Sequence, residues 1–198
     1  MKKLLLLMLV AVMAFPAVNA QFTKIGAGLT YGTGFHYDNT TGITSNLYRS
    51  PFAGIFVTGI YELNLPIHIA PSFTYFLPRN NSYSTAVGNI TERTRVSSMM
   101  FDINGHYVIN SLDRFEFYAL AGLDITFARI KWLVDNSKYS DNALGLNVGA
   151  GSCMKLTDQF DLYLEAKYIV SKYGQFMLNA GILINIDWLK KHENTGIN

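Results

Sequence analysis

The sequence predicts an all-β protein: an eight-stranded antiparallel up-and-down transmembrane β-barrel, preceded by a cleavable signal peptide. Three observations lead there. The first twenty residues have the make-up of an export leader, and eight later segments alternate apolar and polar residues with period two. Charged residues also make up only 15% of the 198-residue chain, against about 25% in an ordinary soluble domain. Apolar residues reach 49%, with 13 Phe and 12 Tyr, a composition that water would solvate poorly.

Residues 1–20 run from Lys2 and Lys3 through an apolar stretch, Leu4 to Phe15, to a break at Pro16 and the small-residue site Val18-Asn19-Ala20. This pattern predicts cleavage before Gln21. As a helix the apolar stretch would span about 18 Å, short of the roughly 30 Å hydrocarbon core that an anchor must cross. The expected organisation is therefore a signal peptide at 1–20, a barrel at 21–188 and a periplasmic tail at 189–198. Removing Lys2 and Lys3 leaves Lys+Arg and Asp+Glu in equal number, so the mature chain is neutral and lacks the excess of cations that nucleic-acid binding requires. Cys153 is the single cysteine. It excludes an intramolecular disulfide, and the absence of a Cys after the cleavage site argues against a lipid anchor.

The mature chain has no run of 18 apolar residues, and so no spanning helix is expected. The period-two segments cover about 25–33, 53–63, 67–77, 98–109, 115–127, 144–155, 160–171 and 175–188. In the first, Ile25, Ala27, Leu29 and Tyr31 oppose Gly26, Gly28, Thr30 and Gly32. In the seventh, Phe160, Leu162, Leu164, Ala166 and Tyr168 oppose Asp161, Tyr163, Glu165 and Lys167. Each is about the 9 to 11 residues needed to cross a bilayer at a tilt. Long polar connections are expected at about 35–50, 78–95 and 128–142, with short turns at 64–66, 110–114 and 155–159. Even strand number with short turns at one end and longer loops at the other is the layout of outer-membrane barrels, which places both termini on the periplasmic side.

Within these bounds the apolar register holds no charged residue, whereas Glu62, Asp102, Glu116, Asp124, Asp161, Glu165, Lys167 and Asp187 all fall in the other. A Lys or Arg facing lipid costs about 2–4 kcal/mol at the midplane, so the apolar register is expected outside. A soluble lipocalin-like barrel would turn it inward. Against that stand nine glycines in the polar register, which suit a crowded lumen, and aromatics near the segment ends, among them Tyr31, Tyr61, Tyr107, Phe160, Tyr168 and Trp188, as membrane-interface girdles require. Phe56, Ile60, Phe76, Leu120 and Leu183 also fall in the polar register, which predicts a plugged, partly apolar interior rather than a water-filled pore.

The last segment carries Asn179-x-Gly181-x-x-Ile184-x-Ile186, which resembles the signal read by the bacterial barrel-assembly machinery. With the eight-segment layout, the chain resembles the small outer-membrane β-barrel domain family of the Bacteroidota, the PorT-like proteins, and more distantly OmpA/OmpX-type eight-stranded barrels. The resemblance implies residence in the bacterial outer membrane and, through the PorT-like proteins, a part in a secretion or assembly system. Insertion by the assembly machinery follows from the signal.

Chemistry is sparse. Asp102, Asp124, Glu165 and Lys167 share the inward face at similar depth and predict a buried polar network. An ion path is the alternative reading of the same residues. No zinc spacing, phosphate-cradling glycine loop or dinucleotide fingerprint is present. His36 and Asp38 lack a nucleophile placed beside them, so neither catalysis nor a cofactor is expected, and a lipid A-modifying enzyme is the weakest reading. A monomer with a structural or surface-binding role, not a general porin, is the expectation. At the end with long loops, Arg49, Arg79, Arg93, Arg95, Arg129, Lys131, Lys138 and Lys172 outnumber Asp38, Glu92, Asp135 and Asp141. Phosphorylated lipopolysaccharide is the expected partner there, through Arg49, Arg79, Arg95 and Arg129 near the strand ends; Arg93 and Lys138, expected in mid-loop, read as solvated.

Overall fold

The computed structural model describes residues 22–35, 50–63, 65–84 and 91–186. The leader, the tail, His36, Asp38, Arg49, Asp187 and Trp188 lie outside the described residues. Eight strands follow in order: β1 (Phe22–Gly32), β2 (Ala53–Glu62), β3 (Ile67–Ser84), β4 (Thr91–Ser111), β5 (Phe115–Trp132), β6 (Lys138–Lys155), β7 (Phe160–Ser171) and β8 (Gln175–Asn185). Each pairs antiparallel with its neighbours in sequence, and β1 closes on β8. Closure leaves no unpaired edge within the belt, the condition for a sheet to survive in hydrocarbon.

The short turns fall where the sequence places them. Leu112 and Phe115 exchange backbone bonds of 2.7 and 3.2 Å across the β4–β5 turn. In the β6–β7 turn the Thr157 hydroxyl accepts the N–H groups of Gln159 and Phe160 at 3.2 and 3.0 Å, a side chain standing in for a missing strand partner. The eighth strand ends at Asn185, short of the expected Trp188.

Two of the three long connections do not behave as the sequence predicts, and the one at about 35–50 lies largely outside the described residues. β3, β5 and β6 each run 18 residues and β4 runs 21, against 10 to 12 in the other four. The expected loop at 128–142 is a turn of only residues 133–137, with Asn136 left-handed at φ 59° and Asp135 accepting the Ser137 amide and hydroxyl at 3.0 and 2.8 Å. Those two bonds hold the exposed Asp135 carboxyl below its usual range. Much of 78–95 is likewise strand. The pattern inverts beyond the belt, where the exterior meets water while the interior stays apolar. Val96, Ala128 and Ile130 are buried inside, and Arg95 and Arg129 are exposed.

The two registers divide as expected. Ile25, Leu29, Ile55, Phe101, Leu123, Leu146 and Val170 are exposed on the outer face, while Asp102, Asp124, Glu165 and Lys167 are buried inside. A soluble barrel would show the reverse, since contiguous exposed apolar surface of this extent is not tolerated in water. The lumen is filled in layers. Phe56, Ile60, Tyr118, Leu120, Tyr163 and Leu183 pack toward the short-turn end; Phe76, Met100, Ile169 and Met177 lie beyond the polar centre; and Phe35, Val96, Ile130 and Tyr173 close the other mouth. Phe35 is carried there by the chain leaving β1, pinned where its N–H meets the Ser50 hydroxyl at 2.7 Å, and its ring lies 4.5 Å from that of Tyr173.

Leu123 sits mid-belt between Ile103 and Leu146 and is 62% exposed. Leu123→Arg should lower folding stability in lipid vesicles by about 2–4 kcal/mol, measured by reversible denaturant titration. An unchanged midpoint would mean that this face does not contact lipid.

Candidate functional site

A buried polar network occupies the waist of the barrel, with Lys167 at its centre. Its ammonium, fully buried, donates to Asp102 Oδ2 at 2.8 Å and lies 3.5 Å from Glu165 Oε1. Asp102 also accepts the Ser72 hydroxyl at 2.8 Å and the Asn147 amide at 2.9 Å, and the same amide reaches Asn104 Oδ1 at 2.9 Å. Glu165 accepts the Tyr163 hydroxyl in a short bond, the Tyr118 hydroxyl at 3.5 Å and the Asn179 amide at 3.2 Å. Thr30 extends the chain by donating to Asn179 Oδ1 at 2.6 Å. Seven strands contribute a side chain. The missing one, β2, supplies Phe56, whose ring packs 5.7 Å from that of Tyr163.

Of the four residues the sequence singles out, Asp102, Glu165 and Lys167 are joined and Asp124 is not. Asp124 stands opposite Asp102 in the β4–β5 register, yet its Oδ2 is bonded to Thr126 at 2.9 Å and its Oδ1 has no partner among the described residues. The expectation fails there because shared depth does not supply a donor: its neighbour on β6 is Gly145. Sequence reading does not single out His106. The ring is buried at the network, stacked 4.1 Å from Tyr118 with Nε2 3.4 Å from Glu165 Oε2, without the alignment of a hydrogen bond. Thr30, Ser72, Asn104, Tyr118 and Tyr163 are other members it does not single out. The inward alternation that marks Asp102 marks them too.

Glycines make the room. A Cβ on Gly151 would run into the Tyr118 hydroxyl, and one on Gly28 into the β8 backbone at Ala180 and Gly181. Gly181 and Asn179 of the expected assembly signal thus both serve the closed barrel: one lets β1 and β8 approach, the other joins the network. Ile184 lies on the outward register, and Ile186 follows the end of β8.

The rim arginines separate. The Arg79 guanidinium lies 5.4 Å over the Phe52 ring. Arg95 and Arg129 stand together on the outer wall of β4 and β5, and Arg93 and Lys138, expected in loops, lie in the extended strands β4 and β6. At the mouth, Lys172 is 2.6 Å from Asp141, which also accepts the Tyr173 hydroxyl at 2.6 Å. Cys153 is buried, and no group of acidic, histidine or cysteine side chains among the described residues has the arrangement of a metal site.

Removing one partner from a buried ion pair strands the others, at about 3–5 kcal/mol. Lys167→Met should therefore lower the unfolding free energy by that amount, read from the denaturant midpoint of the reconstituted barrel. Retention of wild-type stability would show that the carboxylates do not depend on the ammonium.

Among solved structures, the chain is similar in fold to Neisserial surface protein A, at 16% identity over 85% of this chain and 99% of the other, with a TM-score of 0.57. The N-terminal β-barrel domain of Pseudomonas aeruginosa OprF (14% identity, 84% and 99% coverage, TM-score 0.53) is another likeness. A third is a major outer membrane protein of Thermus thermophilus (13%, 81% and 98%, TM-score 0.53). No curated protein matches the chain. The family model for the outer membrane protein beta-barrel domain matches residues 4–189, which agrees with the closed eight-strand topology. The chain belongs to the outer membrane protein beta-barrel domain family and resides in the bacterial outer membrane.

Proposed function

We propose that this barrel is a non-catalytic surface-interaction protein that binds partners outside the cell through the part of β3–β6 standing beyond the membrane, with both termini periplasmic. The observation that carries this is the unequal strand length. A crossing takes about 9 to 11 residues, and the 18 to 21 residues of β3–β6 leave a paired, four-stranded sheet above the belt. Short turns at the opposite end support the orientation. β3 pairs with β2 only as far as Phe76, and β6 pairs with β7 only from Gly145. Among the described strands the projecting sheet is therefore bounded by β3 and β6, beyond their pairing with β2 and β7, and sheet edges accept a further strand by main-chain hydrogen bonding. Layered packing of the lumen supports a role other than general diffusion, and the buried ion network reads as a structural clamp.

The PorT-like resemblance suggests a part in protein secretion as the finer alternative, and lipid A modification is the enzymatic one. All three are separated by one variant. Deleting residues 82–93, cut at the Ser82–Arg93 pair, and joining the strands through an Asn-Gly turn shortens the projecting hairpin while leaving the belt intact. The shortened barrel should fold, shown by faster migration unboiled than boiled in denaturing gels. Cells carrying it should adhere to immobilised host-surface proteins and glycans no better than cells lacking the protein. Wild-type adherence with impaired protein export would instead favour the secretion reading, and an altered lipid A profile the enzymatic one.

A further inference from the structure

The outer wall of the projecting sheet carries cations arranged in rows. On β4 these are Arg93 and Arg95, on β5 Arg129 and Lys131, and on β6 Lys138. Arg95 stands directly opposite Lys131, and Lys131 directly opposite Lys138, so three positive charges line up across strands about 4.8 Å apart. Like charges directly opposite one another destabilise a sheet, and no carboxylate among the described side chains pairs with them. Asp141 is engaged by Tyr173 and Lys172, and Asp135 by Ser137.

One row nearer the belt, Arg129 is flanked by Ser97 and Ser140. Its Nε donates to Ser140 Oγ at 3.2 Å, and its terminal nitrogens have no partner among the described residues. It borders a hollow of about 490 Å³ on the outer wall, whose apolar lining is Tyr75, Met99 and Phe127 and whose polar lining includes Ser97, Ser140 and Asn142. Cations with hydroxyl donors above, and an apolar hollow below at the top of the lipid-facing belt, match a molecule with anionic headgroup and acyl chains at the same interface.

We propose that this wall is a binding site for the phosphate groups of a phosphorylated outer-leaflet glycolipid. Arg129, Arg95, Lys131 and Lys138 hold the phosphates, and Tyr75, Met99 and Phe127 carry the first part of an acyl chain. Arg engages phosphate through two parallel hydrogen bonds, and the free end of Arg129 suits this geometry. The site is distinct from the mouth, where Lys172 is already paired, and from Arg79, which is occupied by Phe52. It rests on the orientation given above for the choice of leaflet but not on the adhesive role.

The test uses the full-chain barrel folded in a neutral detergent, with lipid retention counted by native mass spectrometry. The probes are phosphorylated lipid A, the same lipid A stripped of its phosphates, phosphatidylglycerol and inorganic phosphate. Wild-type protein should retain phosphorylated lipid A about tenfold better than the stripped form, with the preference shrinking as salt is raised. The combined variant R95Q/R129Q/K131Q/K138Q should bind both forms alike, while K172Q keeps the wild-type preference. Folding of each variant is checked by unboiled gel mobility, and the comparison of the two lipid A forms on wild-type protein needs no variant at all. Equal retention of the two forms, or an undiminished preference in the fourfold variant, would overturn the proposal. Inorganic phosphate bound as tightly as lipid A would reduce the wall to a free-anion site, and phosphatidylglycerol bound as tightly would remove the outer-leaflet assignment. All four sites lie outside 82–93, so the adhesion test and this one fail independently.

Discussion

A charge cannot face hydrocarbon cheaply, and in a barrel of eight strands it has only one other place to go. The lumen of such a barrel is just wide enough to be filled by side chains, so the acids and the lysine turned away from lipid are pressed against one another. Lys167 makes that arrangement possible. Placed between Asp102 and Glu165, it turns two desolvated carboxylates into mutual partners, and amides and hydroxyls from every strand but β2 gather around them. The glycines of the inward register follow from the same crowding: each bulky member, such as Tyr118, is accommodated by a neighbour with no side chain, here Gly151. Covering the carboxylates with apolar layers on both sides keeps the attraction strong, because little water reaches it to screen the charges.

This clamp is cross-strand in character. Backbone ladders join each strand to its two neighbours alone, whereas the Lys167–Asp102 pair joins β7 to β4 across the lumen, and the Asn147 amide reaches from β6 to β4. The barrel wall is thus braced internally as well as stitched around its circumference. At the short-turn end a second inward group, Lys24 with Asp161 at 3.0 Å and Glu62 at 3.6 Å, ties β1 to β7 and β2 where the solvent begins.

The belt was legible in the sequence because membrane and lumen impose opposite demands on alternate residues. Leu29 and Thr30, or Phe101 and Asp102, differ in polarity as sharply as their surroundings do. Past the belt the demands invert, and the signal weakens. Val96 and Ile130 point inward between the outward Arg95, Arg129 and Lys131, so a search for apolar residues in the outer register sees only a polar loop. Within the network, sequence fixed depth and face but not partnership. Asp124 and Asp102 share both, and only the angular position of Lys167 on β7 decides which of them receives the ammonium. Position along β4 alone likewise does not show that His106 comes within 3.4 Å of Glu165 on β7.

Strand length has a consequence of its own. Four consecutive strands are long and the other four short, so the rim is bevelled rather than level. Among the described strands a cylinder cut obliquely has a front and a back: β3–β6 form a tall wall that screens whatever approaches from its side, while β7, β8, β1 and β2 are only about as long as a membrane crossing. A molecule that is nearly round in the plane of the bilayer therefore acquires a heading, set by the side on which its strands run long.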